Sequence, residues 1–581
     1  MKNTVISSLL DTLADAGAHD IFGITGDVIN PFVDAVTKDK RFKWITVRHE
    51  EHAGYAAAAQ SELNGKIGVC AGTSGPGALH LINGLYNAQK EGGAVVAITG
   101  QVSRAQRGSN YHKEIDLTKV FDDVCAYQAI IETPQQVPRI IEIAVQKALI
   151  ERVVVRIELP TDVISAEVPS EHFKHPLVHE KSLSTPPQAS LQAAAKLLND
   201  GKKVTIYCGI GCRDAKTQVL ELANKLNAPI AHTLRAKDIF DYSDGPVLGL
   251  TGMIGNPAGY YAVFDCDVLL MLGTDFPYTE FLPDGKPIIQ IDQNLEHIGR
   301  RAPVSLGMVG DVGATLDLLN PMISSQASFS FRDHLLTIRD KWLAQMSAQG
   351  SLDRTDEPLH PQLFAKAISD LAADDAIFAV DVGECTVWTA RQMSMAGKRR
   401  IVGGFNHGSL GAGLPVALGA AALNEGRQIW ALCGDGAFAM SMCDFVTAVR
   451  YGWPIKVIVF NNQEFGFVKM EMEVSGMAQN NQATGLVNPD FALYAKACGG
   501  DGVRVEHARD IIPAIKQAIA SDKPFIIDAI VSSGELVMPP HIEMKEVWGF
   551  GISKVKEGLL GVRGDHDVWK EWSNEFKAAF K

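Results

Sequence analysis

Short runs rich in valine and isoleucine recur along this chain, and a stretch with the apolar spacing of a helix separates each run from the next. Runs of this kind are typical of parallel strands that helices cover on both faces. The pattern therefore predicts an α/β protein. Its strands are expected at WITV (44–47), IGVC (67–70), AVVAIT (94–99), VVVRIEL (153–159), VTIYCGIGC (204–212), DVLLMLGT (267–274), PIIQID (287–292), AIFAVDVG (376–383), QIWALCGDG (428–436), IKVIVFNN (455–462) and FIIDAIV (525–531).

The predicted strands fall into three groups, as expected for 581 residues, which are too many for a single core. Residues 165–190 lose the apolar spacing and gain prolines, and residues 322–330 form a weaker break, so both are predicted to be linkers. The prediction is three doubly wound parallel-sheet domains and a tail, at residues 1–180, 181–335, 336–531 and 532–581.

Charge and composition exclude several classes of protein. A net charge of −13 without a basic run argues against a nucleic-acid partner. No apolar run reaches the roughly 18–20 residues that a membrane span needs. The nine cysteines are scattered, which fits neither a disulfide framework nor a zinc site. We therefore expect a cytoplasmic protein.

A lone aspartate, Asp435, lies between two glycines where one predicted strand ends, and the pair Asn461–Asn462 ends the next. The carboxyl ends of parallel strands meet at one edge of a sheet. Carboxylate and amide oxygens suit Mg²⁺, so Asp435 and Asn462 could hold this ion against a diphosphate. The alternative is a turn in which Asp435 caps a helix.

Together the two motifs resemble the signature of the thiamine-diphosphate enzymes, GDG followed by N or NN. The resemblance implies that Mg²⁺ is bound by Asp435, Asn462 and the backbone carbonyl of Glu464. It also implies that the turn contacts the cofactor through Gly434, Asp435, Gly436 and Ala437.

Two further stretches, WITVRHEEHAGYAAAAQ and FNHGSLGAGLP, are similar to the acetolactate synthase and pyruvate oxidase group of that family. The first implies that Glu50, rather than Glu51, bonds to the aminopyrimidine ring and helps to ionise C2 of thiamine. The alternative is an acid favoured at a helix N-terminus. The second implies that Leu410 props the bent cofactor and that the carbonyl of Gly408 accepts its 4′-amine. Because that group builds its site from two subunits, at least a dimer is expected, and a homotetramer is predicted.

The central third, with GLTGMIGNPAG, LMLGTDFPYTEF and IIQIDQN, resembles the flavin-binding domain of the pyruvate oxidases, in particular the quinone-dependent, acetate-forming pyruvate dehydrogenases. This implies FAD, with a purely structural flavin as the alternative. The residues implied to contact it are Arg235, Thr251, Gly252, Gly273, Thr274, Asp292 and Asp311.

The resemblance predicts oxidative decarboxylation of a 2-oxo acid, with pyruvate first, to acetate and CO₂, with electrons passing through FAD to a quinone. Phe467 and Glu471 match residues that line the reacting centre of the oxidases. The alternatives are a carboligase of the acetolactate synthase type, an oxidase that uses O₂ and phosphate, and a catalytically inactive binding protein.

His112 and Lys113 stand where related oxidases and carboligases have Phe-Gln, which leaves the 2-oxo acid open. Lys113 could pair with Glu114 or Asp116, act with His112 as a neutral proton donor or acceptor, or bind a second anionic group.

The final stretch, DHDVWKEWSNEFKAAFK, places Trp569, Trp572, Phe576 and Phe580 on one helical face. The face could pack on the protein itself or contact lipid, as quinone-reducing relatives do with their C-terminal segment. Peripheral contact at the inner face of the cell membrane is therefore an open alternative.

Overall fold

The structure is a computed structural model. It describes residues 3–168, 177, 183–326, 330–355, 357–423, 426–478, 481–535, 537 and 553. Within these residues the strands form three six-stranded sheets in which every strand pair is parallel. Helices flank each sheet, so the predicted fold class is confirmed.

The first sheet is buried on both faces. Its strands are β1 (Asp20–Gly23), β2 (Lys43–Thr46), β3 (Gly68–Gly72), β4 (Val95–Gln101), β5 (Tyr127–Ile130) and β6 (Val154–Pro160). Its helices are α1 (Val5–Asp15), α2 (Asn30–Lys38), α3 (Glu50–Asn64), α4 (Pro76–His80), α5 (Ile82–Glu91), α6 (Leu117–Val120) and α7 (Val137–Glu151). In β4, Val96 and Ile98 enter one core while Val95 and Ala97 enter another. Successive strand side chains point to opposite faces, so helices must cover both.

The second sheet has the order β12-β11-β10-β7-β8-β9. Its strands are β7 (Val204–Cys208), β8 (Ile230–His232), β9 (Val247–Leu250), β10 (Val268–Leu272), β11 (Ile288–Asp292) and β12 (Leu306–Val309). Its helices are α8 (Gln188–Asp200), α9 (Lys216–Leu226), α10 (Pro257–Asp265), α11 (Val312–Leu319) and α12 (Ser330–Gln349). By rank in the chain this is the strand order of doubly wound dinucleotide-binding domains, with the order reversing between β7 and β10.

The third sheet carries the GDG and NN motifs. Its strands are β13 (Ile377–Val380), β14 (Arg400–Gly403), β15 (Ile429–Gly434), β16 (Lys456–Asn461), β17 (Asp501–Val505) and β18 (Phe525–Ile530). Its helices are α13 (Pro361–Leu371), α14 (Glu384–Gln392), α15 (Gly413–Ala422), α16 (Asp435–Ser441), α17 (Phe445–Tyr451), α18 (Gly466–Val474), α19 (Asn481–Thr484), α20 (Phe491–Ala497) and α21 (Ile511–Ala520).

The first and third sheets have the same topology, β2-β1-β3-β4-β6-β5 and β14-β13-β15-β16-β18-β17. In each the strand order reverses between the first and third strands of the domain. Ligands of doubly wound sheets bind at this switch point, beyond the carboxyl ends of the strands.

These two domains also share one hydrophobic core, in which alanines of α3 pack with α15. The helices lie so close that a Cβ atom on Gly419 would be 2.3 Å from the carbonyl oxygen of Ala56. Small residues at this crossing therefore tie the first domain to the third.

The structure corrects the predicted linkers at their ends. Helix α8 begins at Gln188, so residues 188–190 are helical, and α12 begins at Ser330 and spans residue 335, where a domain boundary was placed. The boundaries themselves stay a prediction. The predicted tail helix at 565–581 lies outside the described residues. None of the helices that the structure describes has the length and apolarity to cross a membrane.

Candidate active site

Asp435 is the first residue of α16 and is only 2% exposed. One carboxylate oxygen accepts the N–H of Gly436 at 2.7 Å, and the other accepts the N–H of Gln463 at 2.6 Å and the amide of Asn488 at 2.8 Å. Burial raises the pKa of Asp435 to about 6, although these bonds oppose the shift. A cation at this carboxylate would offset the cost of burying its charge.

Asn462 follows β16, which pairs with β15 in the third sheet, so the predicted meeting of the two strand ends is confirmed. The side-chain oxygen of Asn462 accepts the N–H of Glu464 at 3.1 Å. The carboxylate of Glu464 is occupied by Lys469, whose Nζ lies 3.1 Å away. The bond from Gln463 to Asp435 joins this loop to the GDG turn.

Two helices begin at the switch point of the third sheet, α14 after β13 and α16 after β15. A Cβ atom added to Gly383 or Gly434, the residues that precede these helices, would meet nothing within 4 Å. At Gly436 it would lie 2.5 Å from the ring of Phe465, so this glycine is needed for packing. Open space beside the N–H groups of helix N-termini suits a phosphate group.

Glu384, the first residue of α14, was not predicted from the sequence. One of its carboxylate oxygens accepts the amide of Asn462 at 3.3 Å. Burial, together with the negative charge of Glu535, raises the pKa of Glu384 to about 8. At neutral pH this acid is largely protonated, so it can lie next to a phosphate without strong repulsion. Its position directly after the strand in VDVGE was the signal available in the sequence.

Glu50 is the first residue of α3 and is 5% exposed. Its Oε2 lies 2.9 Å from Nδ1 of His80. A Cβ atom on Gly77 would lie 3.0 Å from its Oε1, so the glycine-rich turn after β3 reaches the carboxylate. The structure thus places Glu50 and the GTSGPG turn together at the switch point of the first sheet.

The loop at 405–411 is held by Asp381, a second residue that sequence reasoning missed. This buried carboxylate accepts the N–H groups of Gly411 and Gly413, both at 2.9 Å. Burial raises the pKa of Asp381 to about 6. Leu410 is half-buried, and Gly408 is exposed with open space where a side chain would be. Both can therefore reach a ligand beside the loop.

Phe467 and Glu471 lie on α18, four residues apart and thus on one face. Phe467 is half-buried against the core of the third domain, and Glu471 is exposed. Helix α18 begins just after the loop that carries Asn462 and Glu464, so both side chains belong to this end of the sheet.

Lys113 belongs to the first domain, where its backbone lies against the glycine-rich turn at Gly75. Its Nζ lies 2.7 Å from Oδ1 of Asp27. Of the three alternatives for Lys113, the pairing with Glu114 or Asp116 is not the one that the structure shows. Glu114 instead accepts backbone N–H groups of its own loop, including that of Tyr111, and Asp116 pairs with a different lysine. His112, the residue before Lys113, is exposed.

The residues predicted to contact a flavin lie at the carboxyl edge of the second sheet, as the parallel strands require. They follow or end β8 to β12: Arg235, Thr251, Gly252, Gly273, Thr274, Asp292 and Asp311. Gly273 follows β10 at the switch point, against Gly211 from the loop after β7. The hydroxyl of Thr251, which is 3% exposed, has no hydrogen-bond partner among the described residues. A bound ligand at this edge would supply one.

Two of these residues are already engaged. Asp311 caps α11 by accepting the N–H of Ala314 at 3.0 Å. Arg235 reaches out of its domain, and its Nε lies 2.9 Å from Oε2 of Glu91 at the end of α5. Glu91 also accepts the N–H of Asn406, in the loop that carries Gly408. Glu91, which was not predicted, therefore joins all three domains.

Three family models match the chain in order. They are the N-terminal TPP binding domain, the central domain and the C-terminal TPP binding domain of thiamine pyrophosphate enzymes, at residues 3–120, 191–319 and 381–529. The chain belongs to the thiamine pyrophosphate enzyme family.

Relatives of this thiamine pyrophosphate enzyme extend over nearly its whole length. A Bacillus subtilis protein named as thiamine pyrophosphate-containing, YdaP, is 36% identical over 94% of this chain and 95% of its own. An acetolactate synthase of Mycobacterium bovis is 30% identical over 92% of this chain and 89% of its own. A pyruvate oxidase of Lactiplantibacillus plantarum is 29% identical, again over 92% and 89%.

The residues of the third domain fit the diphosphate end of thiamine pyrophosphate. Burial raises the pKa of Asp435, and a bound cation would stabilise the charged form of this carboxylate. The space beside Gly383 and Gly434 is open, and two helix N-termini face it. The diphosphate end of the family's cofactor therefore fits the residues that the third domain provides.

Proposed function

We propose that the protein oxidatively decarboxylates a 2-oxo acid, with pyruvate as the first candidate, and that it forms acetate and CO₂ while electrons pass through FAD to a quinone. The observation that carries the proposal is the second sheet. It combines the dinucleotide-binding strand order with an unpartnered buried hydroxyl, Thr251, at its carboxyl edge. An edge of this kind suits a dinucleotide such as FAD.

Within the proposal, Asp435, Asn462 and the carbonyl of Glu464 hold Mg²⁺ against the diphosphate. Bound thiamine supplies a carbon nucleophile and an electron sink for the decarboxylation. The role of Glu50 is to hydrogen-bond the pyrimidine ring and hold the proton that this ring must exchange. Its burial at 5% exposure keeps water from competing for that bond.

Leu410 would prop the bent cofactor, and the carbonyl of Gly408 would accept its amine. Phe467 and Glu471 would line the reacting centre. In the second domain the hydroxyl of Thr251 and the backbone at Gly252 and Gly273 bind FAD.

A carboligase of the acetolactate synthase type is the second candidate, favoured by the 30% identity to the Mycobacterium bovis enzyme. In that case FAD, if bound, does no redox work. An oxidase that uses O₂ and phosphate is a variant of the first candidate, supported by the Lactiplantibacillus plantarum relative.

Anaerobic mixing with pyruvate separates these candidates. The purified protein, loaded with thiamine pyrophosphate, Mg²⁺ and FAD, is mixed with pyruvate while flavin absorbance near 450 nm is followed. We expect bleaching within one turnover and reoxidation by a soluble quinone analogue, with acetate as product. Acetolactate formation with unchanged absorbance would establish the carboligase instead. Reoxidation by O₂ alone, with acetyl phosphate formed, would establish the oxidase.

A homo-oligomer of at least two subunits, expected to be a tetramer, is part of the proposal, because the group that the chain resembles builds its site from two subunits. Membrane contact through residues 565–581 also remains a proposal, since that stretch lies outside the described residues.

A further inference from the structure

Away from the proposed thiamine site, three reactive side chains meet where the first domain touches the third. They are His52 on α3, and Cys443 and Asp444 in the short turn between α16 and α17. A ring nitrogen of His52, the sulfur of Cys443 and a carboxylate oxygen of Asp444 lie within 4.8 Å of one another. None of the three was predicted from the sequence to have a role.

Asp444 is fully buried, and donors already surround its carboxylate. The backbone N–H of Arg48 lies 2.9 and 3.1 Å from its two oxygens. The hydroxyl of Thr447 donates to Oδ1 at 2.5 Å, and Nδ1 of His52 bonds to Oδ2. With its lone pairs so engaged, Asp444 serves to orient His52 and is poorly placed to bind a metal.

His52 is 5% exposed and carries a positive charge at neutral pH. Burial lowers its pKa, but the bonds to Asp444 and Cys443 outweigh burial and raise the pKa to about 9. A cation held next to a thiol favours the reactive thiolate form, and an imidazolium can also donate a proton to a leaving group.

Cys443 is the accessible member of the group. All nine cysteines lie in the described part of the chain; seven are buried, Cys498 is half-buried and Cys443 is exposed. The sulfur of Cys443 therefore has access to solvent and an acid, His52, beside it. The carboxylate of Asp444 orients this acid.

We propose that Cys443 is a modification site that reacts with hydroperoxides, with His52 as the acid and Asp444 as the residue that positions it. Cys443 first loses its proton to solvent, and its thiolate then attacks one oxygen of H₂O₂, so that an S–O bond forms as the O–O bond breaks. His52 gives its proton to the departing hydroxide, which leaves as water. The sulfur is oxidised by two electrons to a sulfenic acid, and the peroxide is reduced.

Oxidation at this point reaches the proposed active site through α3. Asp444 holds the chain just before this helix through the N–H of Arg48, and Glu50 lies two residues further on. The oxygen that the sulfenic acid adds beside His52 disturbs that anchor, so activity should fall on oxidation and return with a thiol reductant. This consequence rests on the proposed function, whereas the modification itself does not.

The test uses the full-length protein in its native oligomer, loaded with its cofactors. It is exposed to H₂O₂ in slight excess at pH 7, trapped with dimedone, and mapped by mass spectrometry. We expect Cys443 to be labelled at least 10-fold faster than Cys498, and we expect Cys443→Ser to keep its basal activity but lose peroxide sensitivity. His52→Gln should slow labelling of Cys443 at least 10-fold and leave the rate at Cys498 unchanged.

Equal labelling of Cys443 and Cys498 in the parent protein would overturn the proposal without any variant, so a folding defect in His52→Gln does not weaken the test. An unchanged rate of Cys443 labelling in a folded His52→Gln protein would also overturn the proposal. Retention of one equivalent of Zn²⁺ after dialysis, lost in both Cys443→Ser and His52→Gln, would show a metal site and would also overturn it. Should peroxide labelling proceed as expected in a protein that fails to decarboxylate pyruvate, only the proposed function is at fault.

Discussion

Glu50 and Glu51 are adjacent acids that the fold treats differently. Glu50 meets His80 and the glycine-rich turn, whereas Glu51 accepts the amide of Asn83 at 2.7 Å and the hydroxyl of Tyr55 at 3.1 Å. The hydroxyl of Tyr55 also lies 2.8 Å from Ser409, so Glu51 belongs to a network that fastens the 405–411 loop. The sequence pair HEE alone could not reveal this division, because it arises from contacts with distant segments.

Glu50→Gln should cut turnover about 100-fold or more while thiamine pyrophosphate affinity stays close to that of the parent, because an amide cannot exchange the proton. Steady-state kinetics and a fluorescence titration of the cofactor measure the two quantities. Glu51→Gln is the matched control and should lower turnover less than 10-fold. If the two variants lose turnover equally, Glu50 has no special role.

Lys113 forms an ion pair with Asp27, which neutralises part of the lysine's charge. We predict that Lys113→Gln combined with His112→Phe raises kcat/KM for pyruvate relative to 2-oxoglutarate, because a cation that favours a second carboxylate is gone. Asp27→Asn releases the lysine and should shift selectivity the opposite way. Steady-state constants for pyruvate, 2-oxobutyrate and 2-oxoglutarate decide the matter. Unchanged selectivity in both proteins would place the pair outside the substrate pocket.

At the scale of elements, helix α16 has a glycine before it and another as its second residue, with different surroundings. Gly434→Ala should leave the apparent melting temperature of the cofactor-free protein unchanged and weaken thiamine pyrophosphate binding about 10-fold or more, because the added methyl group enters only the open space. Gly436→Ala should lower the melting temperature, because its methyl group meets Phe465. Calorimetry of the free proteins and titration of the cofactor separate the effects. Normal cofactor affinity in Gly434→Ala would show that the diphosphate lies elsewhere.

The sequence predicted the long central strands well and missed most of the short ones. Strand β1 is four residues, DIFG, placed directly after an amphipathic helix, and only its pairing with β2 and β3 distinguishes it from a loop. Strand β12 is half-exposed at a sheet edge and lacks a continuous apolar run. The strands β5, β8, β9, β14 and β17 were also missed. Short strands depend on tertiary pairing, which local composition does not record.

The residues of the candidate site also differ in whether a local motif or a distant contact reveals them. Asp435 and Asn462 were predictable because each belongs to a local motif at a strand end. Glu384 was not, since its raised pKa depends on burial and on Glu535, which is distant in the chain. The partner of Lys113 could not be found from the sequence for a similar reason, because Asp27 lies 86 positions away.

At the scale of the whole molecule, the buried pair of His52 and Asp444 ties the first domain to the third. Because the pKa of His52 rises from 6.5 to about 9, the pair contributes on the order of 3 kcal/mol, fully present below pH 6.5 and lost as the pH rises through about 9. We predict that the parent melts at a higher temperature than His52→Gln at pH 6.5 and that the difference shrinks towards pH 10. Calorimetry across this range provides the measurement. If the difference in melting temperature between the parent and His52→Gln does not change with pH, His52 stabilises the protein through packing alone.

The tail offers a separate prediction. Deleting residues 565–581 should leave pyruvate-to-ferricyanide activity in solution but abolish stimulation by phospholipid vesicles, because the aromatic face of the segment would be gone. Replacing Lys570 with Gln, off that face, is the control and should retain the stimulation. Loss of activity in solution after the deletion would mean that the tail packs on the protein.

The core shared by α3 and α15 has a consequence for synthesis on the ribosome. Roughly 350 residues separate the two helices. Because the ribosome adds about 5–20 residues per second, α15 is synthesised on the order of 20–70 s after the alanine face of α3. During that interval the nascent first domain carries an uncovered apolar surface, which makes it a client for chaperones. A chain that stops before α15 should therefore accumulate as aggregate rather than as a free-standing domain.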